Sequence, residues 1–360
     1  MAIRRKRARI NLALQGGGAH GAFTWGVLDR LLSIEDLEFD WISGTSAGAI
    51  NAVAVAAGLA AKSRAAARQR LRDVWEGVQR AGVPDLVRLN PLLMGLTRAT
   101  PIPNVSGLFS PYDFNPLGFD PLRTLLEKHI TFADVRAASP VELLIAATDV
   151  ATGRARLFRR ADLTVEAVLA SACLPTLHHG VEIEGRIYWD GGFSANPDLV
   201  TLATESPTGD TLLVQLNPNV DQSSLRSAAE ITARINAITF NQPLLRDVAE
   251  IVAAQEGALG ILAPRQGRIS RIRDHRFHLI DAGRYTAGLS SDSKMKPDQG
   301  VATYLFSAGQ AEAAKWYEKN RAAIGKRSTV DLKAHYLTPL PASPKSGRVA
   351  KATEAKARKA

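Results

Sequence analysis

The sequence predicts an α/β protein with a central, mostly parallel sheet sandwiched by helices. Short apolar runs with strand character are each followed by a longer run with helical character, at Ile10–Gln15 then Ala22–Ser33 and at Phe39–Ser43 then Ala47–Leu59. Both strand-to-helix passages are turned by glycine-rich stretches, Gly16–Gly21 and Gly44–Gly48. Two more apolar runs, Val141–Asp149 and Thr211–Leu216, read as buried strands.

The elements follow in order. Ile10–Gln15 alternates as a strand does, and Ala47–Leu59 is alanine-rich and apolar nearly all round, the pattern of a buried helix. Further helices are expected at Ala65–Arg80, Pro121–His129, Thr164–Cys173, Leu225–Phe240, Leu244–Leu262 and Ala302–Arg321. The stripe Leu225, Ala228, Ile231, Ile235 and Ile238 has helical spacing and is expected to pack into the core. Val181–Trp189 reads as a hairpin turning at Gly185, and Phe277–Ile280 as a strand. Between residues 81 and 121 stand seven prolines among Leu92, Leu93, Met94, Phe109 and Phe114, too many for a long helix; a lid over a binding site and a strap on the body are the two readings. The expected organisation is a basic extension over 1–9, a catalytic core over 10–215, a helical continuation of the same domain over 216–330, and a disordered basic tail over 339–360.

Composition narrows the class. The 360 residues suffice for a sizeable core, and the single cysteine, Cys173, excludes an internal disulfide framework and suits a reducing compartment. The net charge of +10 divides into +5 over residues 1–9 and +5 over residues 345–360, so the body between is neutral and is not a nucleic-acid-binding surface. The basic ends suit a peripheral contact with an anionic membrane, each charge near such a surface being worth about 1 kcal/mol; solubilising ends without a partner are the other reading. The apolar run after Arg4–Arg9 is too short for a secretion signal, and no stretch reaches a membrane-spanning length, so a cytoplasmic enzyme, with or without peripheral membrane contact, is expected.

Three motifs carry chemistry. In Gly44-Thr45-Ser46-Ala47-Gly48, Ser46 lies on the passage from strand to buried helix, where a sharp elbow lifts a serine hydroxyl above the sheet; a helix-capping turn is the structural alternative. In Gly16-Gly17-Gly18-Ala19-His20-Gly21, bare backbone N–H groups can converge on an anion. That run matches a dinucleotide fingerprint in its letters, but Asp40 stands at the start of the following strand and the far end is the serine elbow, so a cofactor is not expected. Asp190-Gly191-Gly192 closes the hairpin; a turn role is its default, while a buried carboxylate lifted from about 3.9 toward neutrality could take a serine proton. No cysteine–histidine cluster has metal-ligand spacing.

These motifs, with Ala170-Ser171-Ala172-Cys173-Leu174-Pro175, resemble the patatin-like phospholipases in kind and order. The resemblance implies a lipid acyl hydrolase with Ser46 as nucleophile, Asp190 as base, and an oxyanion hole in the loop Gly16, Gly17 and Gly18, chiefly the amides of Gly17 and Gly18. Gly21, Gly44, Gly48, Gly191 and Gly192 support these motifs, and the motif places His20, where many relatives carry Arg or Lys, beside the active centre as a substrate contact. Its partner is an acyl lipid. The rival is an α/β-hydrolase with a Ser-Asp-His triad, for which His275, His278 and His335 follow the acid in sequence. His178 and His179 are candidates for the rim of the site. From other classes, an oxidoreductase and a catalytically silent lipid-binding module remain open.

Overall fold

The computed structural model of the protein describes residues 7–81, 120–220, 226–257, 267–289, 291–294 and 298–339. The proline-rich insertion, except for its ends, and the tail expected beyond Pro339 lie outside these residues.

Eight strands form one sheet: β1 (Ala8–Leu14), β2 (Leu37–Thr45), β3 (Glu142–Asp149), β4 (Ala155–Arg159), β5 (Val181–Ile183), β6 (Arg186–Asp190), β7 (Asp210–Gln215) and β8 (Arg276–Asp281). Their order is β5-β6-β3-β2-β1-β7-β8, with β4 also paired to β3. The run from β3 through β2, β1 and β7 to β8 is parallel, and β4, β5 and β6 are antiparallel additions at one side. The helices are α1 (Gly21–Leu32), α2 (Ala47–Ala60), α3 (Arg64–Ala81), α4 (Pro121–His129), α5 (Phe132–Ala138), α6 (Val165–Ser171), α7 (Val200–Glu205), α8 (Ala228–Gly257), α9 (Arg268–Asp274), α10 (Gly283–Thr286) and α11 (Gln299–Asn320).

The two-residue side-chain period of the strands divides the core into two layers. Ile10, Leu12 and Leu14 of β1 and Leu212 and Val214 of β7 face α1, α2, α3 and α11. Ala13, Leu213 and Leu144 face the opposite layer, built on α7, α8 and α9 by Leu199, Leu202, Leu244, Val248 and Ile272. A parallel strand covered on both faces must be apolar throughout, which is why β1 and β3 read as almost continuous hydrophobic runs.

Three expectations change. The helices foreseen at 225–240 and 244–262 are one helix, α8, with Pro243 inside it. Proline removes one donor from the helical ladder but does not forbid a helix on either side of it. Ile231, Ile235 and Ile238 are 45%, 56% and 44% exposed instead of packed in the core, and burial on α8 begins only at Pro243 and Leu244. Helical spacing fixes that three side chains share a face, not what that face meets. The basic N-terminal run is also less free than expected: Arg9 lies in β1 and pairs with Asp40, and Arg7 pairs with Glu38 at 2.8 Å.

Candidate active site

Ser46 joins β2 to α2 with φ 54 and ψ −122, a left-handed conformation that a serine adopts only under constraint. The constraint is visible on both sides. A Cβ on Gly48 would lie 2.1 Å from the Leu14 carbonyl, so glycine lets the first turn of α2 nest on the end of β1. Gly44 lies directly against Gly48 across the elbow. The Ser46 amide donates to Ser171 Oγ at 2.9 Å, and Thr45 Oγ1 donates to the Ala195 carbonyl at 2.7 Å. The positive end of α2, with its unsatisfied N–H groups, stands beneath the serine.

Asp190 ends β6, and register places it beside the elbow. Thr45 of β2 pairs with Ala146 of β3, and Asp190 pairs with the next residue, Ala147. Ser46 and Asp190 therefore flank the same end of β3. Asp190 is 1% exposed; Gly192, two residues on, packs on the ring of Phe240, whose centre lies 4.7 Å from that of Phe193. Oδ1 accepts the Gly192 amide at 2.7 Å, while Oδ2 is buried with no hydrogen-bond partner. Burial pushes the pKa up to about 7; the Gly192 N–H and the adjacent Ser46 hydroxyl pull it the other way without cancelling burial. Gly191 packs against the Ala146 carbonyl, where a Cβ would come within 2.2 Å.

The glycine run leaves β1 through Gln15, whose Oε1 accepts the amides of Leu216 and Asn217 at 2.8 and 2.9 Å and so ties the ends of β1 and β7 together. The Gly16 amide donates to Asn196 Oδ1 at 2.7 Å. This corrects the expectation that Gly16 belongs to the anion-binding set, because its N–H is already committed. Gly17 and Gly18 have no such bond among the described residues, and Gly18 holds φ 57 against the Lys294 carbonyl. At Gly21, where α1 begins, the carbonyl accepts from Asn51 Nδ2 at 3.2 Å.

His20 is buried, and its Nε2 meets Ser293 Oγ at 2.7 Å. Burial, helped by Lys294, lowers its pKa to about 4. The ring of His20, expected as a substrate contact, is thus neutral at pH 7 and meets the 291–294 turn through Nε2. The histidines of the rival triad lie elsewhere. His278 is buried between Asp210 Oδ1 at 3.1 Å and Thr329 Oγ1 at 2.9 Å, and His275 meets Thr211 Oγ1 at 2.8 Å. His278 lies on β8, three strands from β2; in register it pairs with Leu212, which is level with Leu12 and Ile42, well short of the elbow. Among the described residues no histidine, including His178, His179 and His335, hydrogen-bonds Ser46 or Asp190. No group of three or more metal-ligating side chains occurs among them either.

Two contributors went unassigned in the sequence. Asn196 is wholly buried and bridges Gly16 to the Phe240 carbonyl through Nδ2 at 2.9 Å. Its only sequence signal is a polar residue before Pro197, shortly after the Asp190 motif. Ser171 lies inside a quoted motif, but its partner, the Ser46 amide, is 125 residues away.

The family model described as patatin-like phospholipase matches residues 12–203, more than half of the chain, and takes in the glycine loop, the elbow, the Ala170–Pro175 block and Asp190–Gly192. The chain belongs to the patatin-like phospholipase family. Family membership supports hydrolysis of lipid acyl esters at that level of description. No curated protein sequence matches it. Among solved structures, it is similar to VipD from Legionella pneumophila at 16% identity and TM-score 0.39, covering 86% of this chain and 67% of VipD. It is also similar to the heterodimeric ExoU–SpcU complex of the type III secretion system of Pseudomonas aeruginosa, at 15% identity and TM-score 0.33, covering 98% of this chain and 61% of that one. The chain thus spans about two thirds of these neighbours or less. Among the described residues no helix is long and apolar enough to cross a membrane.

Proposed function

We propose that this patatin-like protein hydrolyses acyl esters of lipids through a Ser46–Asp190 dyad and an acyl-enzyme. The observation that carries this reading is a constrained serine at an elbow beside a fully buried carboxyl whose pKa is raised to about 7. Near neutral pH a substantial fraction of Asp190 is ionised yet still basic enough to accept a proton, the condition a general base must meet.

Asp190 takes the Ser46 proton as Oγ attacks the ester carbonyl, and negative charge moves to the carbonyl oxygen. The N–H groups of Gly17 and Gly18 receive that oxyanion, with Gly16 holding the loop through Asn196. Collapse breaks the bond to the alcohol, which leaves with the proton from Asp190. Water then attacks the acyl-serine with Asp190 again as base, releasing the fatty acid and restoring both residues. The linked rings of Trp189, Phe193 and Phe240, next to Gly192 of the same motif, suit an acyl chain as substrate.

Hydrolysis of a chromogenic acyl-ester series and of a phospholipid by wild type, Ser46→Ala and Asp190→Asn tests the proposal. Both variants are expected to lose at least about a thousandfold in kcat, given the scale of losses when members of such a catalytic unit are removed. Ser46→Ala with wild-type turnover would end it, and loss on removal of His275 or His278 but not of Asp190 would return the triad.

A further inference from the structure

We infer that the C-terminal end of α6 sets the spacing between Ser46 and Asp190, with Ser171 as the positioning residue; the inference rests on the dyad reading above. Ser171 Oγ accepts the amide of Ser46 at 2.9 Å. Two residues later, the Cys173 carbonyl accepts the amide of Asp190 at 2.8 Å. One short backbone segment therefore holds both candidate reacting residues, one by a side chain and one by a carbonyl. Neither bond is made to a group that takes part in proton transfer, so each fixes position and leaves the chemistry free.

The segment is fit to act as a fixed gauge. Thr164 caps α6 by accepting the Ala167 amide at 3.3 Å, and Ala167, Val168, Leu169 and Ala170 are buried in the core. Glu166 is tied to Arg123 of α4 at 2.8 Å. Ser171 itself is wholly buried, so bulk solvent does not reach its hydroxyl to replace it. The elbow needs such a partner, since a serine in a left-handed conformation persists only when its surroundings over-determine it. With the acceptor gone, the Ser46 N–H would be buried and unpaired, the elbow could rotate to relieve it, and Oγ would move relative to Asp190. This gives the Ala170–Pro175 block a role: Ser171 supplies the acceptor for Ser46, and Cys173, just past the C-cap Ala172, supplies the backbone carbonyl for Asp190.

The test compares wild type with Ser171→Ala, Ser171→Thr, Ser171→Cys and Ser46→Ala, measuring kcat, KM, the unfolding midpoint and the rate at which a fluorophosphonate labels Ser46. Ser171→Ala is expected to lower kcat and labelling together by about ten- to hundredfold, the scale of a small misplacement of a reacting group. KM should stay within about twofold, because no substrate contact is removed. Ser171→Thr, which keeps the hydroxyl, should recover most of the loss. Wild-type kcat and labelling in Ser171→Ala, or no recovery by threonine over alanine, would overturn the inference. Should Ser171→Ala fail to fold, Ser171→Cys keeps the volume with a weaker acceptor. A fall in its kcat at an unchanged unfolding midpoint supports the gauge, and wild-type kcat overturns it. Inactive Ser46→Ala beside unaffected Ser171 variants removes this inference alone, whereas active Ser46→Ala removes the dyad reading with it.

Discussion

At the scale of single residues, the proposed dyad requires Asp190 and Ser46 each to give up stability for the chemistry. Asp190 keeps its proton up to about pH 7 in the folded chain, against the 3.8 of an ordinary aspartate, because burial disfavours the charge. The value of kcat/KM should therefore climb with pH through about 7 and level off above it, and a profile already flat from pH 5 would show that another group is the base. The same shift has a sign for stability. The stabilisation associated with Asp190 is fully present below the unfolded pKa and is lost as pH rises through the folded one. Relative to wild type, Asp190→Asn should gain unfolding free energy between those two values and hold it above, by up to about 4 kcal/mol. Urea unfolding of both proteins at pH 5 and pH 8 measures that difference. Ser46, at φ 54, holds a conformation glycine adopts readily. Ser46→Gly is expected to abolish turnover while raising stability by about 1 kcal/mol, the strain released less the added chain entropy; a lower unfolding midpoint would mean that the elbow is not strained.

At the scale of elements, the crossing of α1 and α11 sustains the glycine loop from behind. A Cβ on Gly26 would fall 2.0 Å from the Phe306 carbonyl, and one on Gly309 would fall 2.1 Å from the Phe23 carbonyl, so each helix meets the backbone of the other through a glycine. Between them Asp29 is buried and accepts from Arg68 at 2.8 and 3.0 Å and from Gln310 at 2.7 Å, tying α1 to α3 and α11. Gly26→Ala or Gly309→Ala should destabilise by about 3 kcal/mol or more, since the backbones must separate; denaturant unfolding with less than about 1 kcal/mol lost would show that the crossing gives way easily. Helix periodicity and strong breakers were legible here: Pro121–His129 coincides in both bounds, and Ala302–Arg321 is displaced by only a few residues from Gln299–Asn320. The runs over 225–240 and 244–262 were read as separate helices, although Pro243 between them removes one hydrogen bond and does not end the helix. The isoleucine stripe was misassigned for a different reason, since spacing carries no information about the surface a face will meet.

At the scale of the whole molecule, the sheet order brings distant motifs together. Neighbouring parallel strands β1 and β2 end side by side, and the antiparallel β6 ends against β3, so Gly16–Gly18, Ser46 and Asp190 gather at one end of the sheet. That gathering was legible because each motif sits where a strand gives way to a turn or helix, the place where backbone N–H groups and side chains leave the sheet. What supports it was not. Ser171 and Asn196 act through bonds spanning 125 and 180 residues, and nothing in their local sequence names the partner. The partner of His20 was illegible for the same reason, Ser293 lying 273 residues away. The central claim is that Ser46 carries the acyl group. Intact-protein mass and peptide mapping after acid quench of a slow-deacylating ester test it most directly. One acyl group on the peptide holding Ser46, absent in Asp190→Asn, is the predicted result. Steady ester hydrolysis with Ser46 unmodified, or with the acyl group on another residue, would contradict it.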